Sequence, residues 1–296
     1  MLATAAVHTD GAIHPTLVGE DASADAGLRT PWIGMDQVLA DPTQLLELVR
    51  AAGRRRFASD DTNLVLAQVA REAIAVLAEV AVGLWARQRR LLDVSAAHVA
   101  LAEGDEWVVA GLRRISLSVL ADDPLAVRPD VSVVDEDTMF GQLLSGVFGA
   151  ALPAGAMPAG PPDQVPAIAT MIAATRAVIR SGERHLWGTA ALGASSALTT
   201  VSHDLGKSAD LDRERLFQAR PDLARTLTLV TVDPDGRPVT KPVLDDDTIT
   251  FAVRKTCCLL TKLPVDEQCG TCSLRDEAAC IKTLTDWYVE ERRQSR

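Results

Sequence analysis

The chain has 296 residues, 47% of them hydrophobic and only 4% aromatic, with a formal charge of −10. That length and apolar content allow one large or two ordinary domains with a sizeable core, and they exclude a disordered chain. The acidic balance, with no basic run longer than Arg54-Arg55-Arg56, removes the electrostatic footing for nucleic-acid binding. Ala, Val and Leu dominate, which favours helices packed through small side chains over an aromatic-rich β-sandwich.

Residues 1–30 are rich in Ala, Gly, Asp and Thr without periodicity and read as a lead-in. They carry no basic residue before the short apolar run, so no signal peptide is expected. A first helix is expected over 41–53, with Pro42 at its first position. The longest periodic segment is 61–90, where Gln68, Arg71, Glu72 and Glu79 form one narrow polar stripe and the rest is apolar. A helix of that kind is buried on most sides and serves as the spine of the N-terminal half. Its most apolar window, 73–86, is too short to span a bilayer and contains Glu79.

From 93 to 120 the texture becomes strand, turn and strand, with 99–102, 107–109 and the alternating 115–120 forming a small antiparallel sheet. His98 at its edge is a structural or solvated residue, since nothing stands at ligand spacing from it. Helix returns at 135–148 with acidic residues at its start. Four prolines and two glycines between 152 and 162 mark a linker. The expected division is therefore an N-terminal half 1–151, a Pro/Gly linker 152–166 and a C-terminal half 167–296.

The second half opens with helices over 163–181 and 184–201, the latter carrying Trp187 as a core residue or pocket wall. His203-Asp204 follows at its end and caps it or pairs near a pocket. A short helix over 212–218 precedes two strands, 227–232 and 248–253, joined through the turn Asp233-Pro234-Asp235-Gly236. After Cys272, Ser273 and Asp276 give a capping-box-like start to a final helix over 274–293, whose amides would face the preceding cysteines. Cys280 within it reads as a buried free thiol. The fold class expected is α+β, predominantly helical, with small antiparallel sheets and a C-terminal strand, cysteine loop and helix.

Four of the five cysteines fall within 257–272, as Cys257-Cys258, ten residues, then Cys269-Gly270-Thr271-Cys272. Thiols this close share one metal centre, and disulfides are disfavoured between adjacent residues. Zinc prefers ligand pairs two to four residues apart, and only Cys269 and Cys272 form one. Vicinal Cys257 and Cys258 leave an extended backbone on opposite sides, so they reach one centre only through a local bend. The spacing favours iron–sulfur and leaves zinc open. Residues 251–296 hold eight Lys/Arg against seven Asp/Glu, so this end is less acidic than the −11 carried by residues 1–250.

Arg254-Lys255-Thr256-Cys257-Cys258, Leu263-Pro264 and Cys269-Gly270-Thr271-Cys272-Ser273-Leu274 resemble the C-terminal signature of the FhuF-type ferric-siderophore reductases, whose pattern is C-C-x10-C-x2-C. A looser likeness covers His185-Leu186-Trp187-Gly188-Thr189-Ala190, and the N-terminal third offers no motif. The resemblance implies a [2Fe–2S] cluster on Cys257, Cys258, Cys269 and Cys272 within a binding segment 254–280. It implies an oxidoreductase in iron uptake, passing one electron to the iron(III) of a ferric siderophore, of hydroxamate type, from an electron donor it does not identify. Arg254, Lys255, Lys262 and Trp187 are the accompanying candidates for substrate or donor contact. The alternative is a non-catalytic redox sensor or interaction protein with a structural four-cysteine centre. The expected location is the cytoplasm, with peripheral contact at the inner face of the membrane left open.

Overall fold

The computed structural model describes residues 16–17, 31–55, 57–103, 108–113, 116–149, 157–179, 182–205, 209–239, 248–257, 259, 262–263 and 272–294. The expected elements at 104–107 and 114–115, residues 152–156 of the Pro/Gly segment, and both Cys258 and Cys269 lie outside these residues.

Helix α3 (Thr62–Gln88) is the spine that its apolar sequence predicts: Asp61 caps it by accepting from the amides of Asn63 and Leu64, and fifteen of its residues are buried. It packs against α6 (Glu183–Leu205). Their approach depends on small residues, since a Cβ on Gly193 would stand 2.7 Å from the Ala75 carbonyl oxygen. Around this pair lie α1 (Met35–Ala40), α2 (Leu45–Arg55) and α5 (Ala167–Val178). Together they bury one hydrophobic core that runs from Ile33 to Leu263. That core extends on both sides of the expected 152–166 boundary, so the Pro/Gly segment joins parts of one core.

The fold is α+β and mostly helical, with three small sheets among the described residues. β1 (Thr16–Leu17), β2 (Ile33–Gly34), β4 (Val99–Glu103) and β5 (Val108–Leu112) form the first, in the order β1-β5-β4-β2. β3 (Arg90–Leu92), β6 (Leu117–Val119) and β7 (Val131–Val133) form the second, in the order β3-β6-β7. The alternating segment around 115–120 does not continue the β4–β5 hairpin but pairs with β3, and parallel pairs occur at β1–β5 and β6–β7. His98 is a structural residue, its Nδ1 2.9 Å from Asp93 Oδ2.

The helix expected over 135–148 is α4 (Glu136–Gln142) followed by a π-helical turn, Leu143–Phe148, ending at Gly149 with φ 69°. Arg220 ties that turn to α6: it donates to the Gly149 carbonyl at 2.9 Å and lies over the rings of Phe148 and Trp187. Helices α7 (Asp210–Ala219) and α8 (Pro221–Ala224) then lead into β8 (Leu227–Val232), which pairs antiparallel with β9 (Ile249–Arg254). The last helix, α9, spans Glu277–Gln294. No helix among the described residues is long and apolar enough to cross a membrane.

Candidate metal centre

Every residue of β9 is buried, because the β8–β9 ribbon lies between α6 on one side and α9 on the other. Side chains alternate along a strand, and β9 uses both faces. Phe251 points to α9, edge-on to Tyr288 and Trp287. Arg254 points to α6, where Nη2 donates to Thr189 Oγ1 at 2.9 Å and to the His185 carbonyl at 3.5 Å.

The carbonyl of Thr250 accepts from Thr199 Oγ1 at 2.6 Å and from buried Arg213 at 3.2 Å. Arg213 in turn is ion-paired with Asp210, and burial lowers its guanidinium pKa to about 10 against that pairing. The strand from Thr250 to Arg254 covers roughly 13 Å and the helix from Thr199 back to Thr189 roughly 15 Å, so the two run antiparallel in step. This register brings the end of β9 to the first turns of α6.

The two stretches that carry the family resemblance meet there. A Cβ on Gly188 would stand 2.4 Å from Thr256 Oγ1, so the Leu-Trp-Gly segment of α6 admits the residue before Cys257 only because it holds a glycine. Cys257 follows, half-buried, and its Sγ accepts the Leu259 N–H at 3.3 Å. Leu259 has φ 64°, in the left-handed region that non-glycine residues seldom occupy. The backbone therefore turns sharply two residues beyond Cys257. Leu259 and Leu263 pack against the core, and the Lys262 amide donates to the Leu259 carbonyl at 3.0 Å, which anchors the bend.

Cys272 is buried and precedes α9 by a turn in which its carbonyl accepts from the Arg275 amide at 3.0 Å and from Cys280 Sγ at 3.4 Å. Glu277 at the start of α9 receives a hydrogen bond from Thr228 Oγ1 at 3.2 Å, and Thr228 pairs with Val253 in the ribbon. The beginning of α9 therefore lies beside the same end of β9 that carries Cys257. Helix α9 starts five residues beyond Cys272, not at Leu274, and the Cys280 amide donates to the Asp276 carbonyl. The expected capping box at Ser273 and its amides facing the cysteines are thus replaced by a turn, with Asp276 at the helix start. Burial pushes the Cys280 thiol pKa up and leaves it a protonated donor, consistent with the free-thiol reading.

The accompanying candidates separate. Lys255 and Lys262 are exposed. Arg254 is 3% exposed: its side chain lies on the α6 face of β9, where hydrogen bonds to Thr189 and the His185 carbonyl compensate the burial of its charge. Trp187 is a core residue, its Nε1 donating to Glu183 Oε1 at 2.8 Å, and Glu183 also pairs with Arg176. His185, missed as a contributor, lies beside Arg254, and burial followed by that positive charge holds its pKa below the usual histidine value.

Among the described residues no cluster of three or more metal-ligating side chains is gathered; half the expected set, Cys258 and Cys269, lies outside them. What is described is compatible with a thiolate-bound metal: a cysteine sulfur already receiving an amide hydrogen bond, and a second buried cysteine at the same end of the ribbon. Comparison with protein-family models and with curated proteins returns no match.

Proposed function

We propose that the protein is a ferric-siderophore reductase whose Cys257, Cys258, Cys269 and Cys272 hold a [2Fe–2S] cluster. The observation that carries the reading is the seating of Thr256 on Gly188, which joins the two stretches resembling that family. When bound, such a cluster supplies electrons one at a time. The chain's own residues set its surroundings: Leu259 N–H donates to Cys257 Sγ, Arg254 fixes the strand end to α6, and Leu263 closes the loop onto the core.

The chemistry asked of the site is modest. Iron(III) is hard and held by hydroxamate oxygens; adding one electron gives iron(II), which those oxygens hold poorly, so metal leaves without acid–base catalysis. The electron comes from a one-electron donor protein or cofactor, and the setting is the cytoplasm or its membrane face. Exposed Lys255 and Lys262 remain as charges beside the cysteines on an acidic protein.

The test is anaerobic purification followed by metal and sulfide analysis, then reduction of a ferric hydroxamate by the dithionite-reduced protein. A red-brown protein that bleaches with dithionite and turns over the chelate supports the reading. Zinc in place of iron, or a loaded protein that leaves the chelate ferric, returns the chain to the sensor alternative.

A further inference from the structure

Thr256 is 8% exposed, and its hydroxyl has no hydrogen-bond partner among the described residues. A buried hydroxyl left unpaired costs about 1–3 kcal/mol, so its position calls for an acceptor. Among the described residues, the side-chain groups around it are engaged elsewhere. Thr226 Oγ1 donates to the Leu223 carbonyl at 2.6 Å, and the Thr226 carbonyl accepts the Lys255 amide at 2.8 Å. Thr189 Oγ1 donates to the His185 carbonyl at 3.1 Å and accepts from Arg254. On the α6 side Thr256 meets Gly188, which offers no side chain, and the side chain of Thr226 stands next to the same spot. The chain then passes directly into Cys257, whose sulfur already accepts one backbone donor.

We infer that Gly188 and Thr256 form a seat that presents the Thr256 hydroxyl as a hydrogen-bond donor to a sulfur of the four-cysteine centre. Thr256 is then a positioning residue that tunes the centre, and Gly188 is the residue that makes room for it. The inference rests on the proposed four-cysteine reading. Hydrogen bonds to the sulfurs are among the factors that set the potential of such a centre, because they stabilise the extra negative charge of the reduced form. An apolar replacement at Thr256 therefore lowers the potential. A Cβ at Gly188 would stand 2.4 Å from Oγ1, too close for both, and turns the hydroxyl away, with the same consequence.

The experiment is an anaerobic redox titration, followed by absorption, of the wild-type protein and of Thr256→Val, Thr256→Ser, Gly188→Ala and Thr256→Ala with and without Gly188→Ala, each with its iron and sulfide content measured. The expected result is a downward shift in midpoint potential for Thr256→Val and Gly188→Ala, a wild-type potential for Thr256→Ser, and no further shift from Gly188→Ala once Thr256 is Ala, since the two act through one hydroxyl. Loss of the centre in Thr256→Val with retention in Thr256→Ser supports the inference equally, because the hydroxyl is what serine restores. Equal potentials in wild type, Val and Ser overturn it while leaving the four-cysteine reading intact, as does loss of the centre in Val and Ser alike. A wild-type protein without iron and sulfide overturns the reading and the inference together.

Discussion

Arg254 Nη2 donates to Thr189 Oγ1 at 2.9 Å, a buried bond that fixes the last residue of β9 to the second turn of α6. Replacing Arg254 by Met leaves Thr189 without its donor and removes a buried charge that the surroundings are built to solvate. The expected loss is about 2–3 kcal/mol of stability, in line with hydrogen bonds to charged groups. Arg254→Lys recovers part of it only, since an ammonium lacks the planar fork. Urea unfolding of the three proteins checks this, and a Met variant as stable as wild type would place the anchor elsewhere.

Gly193 sets the distance between the two central helices. A Cβ there meets the Ala75 backbone oxygen at 2.7 Å and the Ala78 Cβ at 3.3 Å, and backbone cannot rotate away as a side chain can. Gly193→Ala should cost about 1–3 kcal/mol despite its better helix propensity. Gly141 in α4 has no atom within 4 Å of its Cβ position, so Gly141→Ala should be neutral or stabilising. Thermal unfolding of the pair gives the comparison.

The central elements were legible because local signals agreed with burial. Asp61 and the apolar run after it gave α3, and alternation around Asp233-Pro234-Asp235-Gly236 gave the β8–β9 ribbon. What failed depends on partners distant in the chain. Nothing local distinguishes β6 pairing with β3 from β6 continuing the earlier hairpin, since both present the same alternation. Arg254 sits in the sequence beside exposed Lys255, and its charge alone gives no sign that period two turns it inward. At the centre, the cysteine spacing was readable, whereas the contact of Gly188 with Thr256 required the antiparallel register of α6 and β9.

Glu79 gives a pH signature. Burial without a partner among the described residues pushes its carboxyl pKa up from 4.5 to about 7. The folded state then holds a proton that the unfolded state releases, so stability is highest below pH 4.5 with respect to this group. It falls as pH rises from about 4.5 to about 7 and levels off above. The residue is partly exposed, which limits the effect to roughly 2 kcal/mol. Glu79→Gln should flatten the wild-type slope of unfolding free energy against pH across that window; an unchanged slope would assign it to other groups.

Cys280 separates ligand from bystander. Its thiol donates to the Cys272 carbonyl, a role that a serine hydroxyl can fill, so Cys280→Ser should keep metal content near wild type. Serine at Cys257, Cys258, Cys269 or Cys272 removes a thiolate and should lower it sharply. Loss of metal in Cys280→Ser alone would show that the ligand set has been misassigned.

The most direct measurement is iron and acid-labile sulfide per chain in anaerobically purified wild-type protein. The account predicts two of each, as a [2Fe–2S] cluster on four thiolates requires. Stoichiometric zinc, or protein with neither iron nor sulfide after reconstitution under reducing conditions, would contradict it.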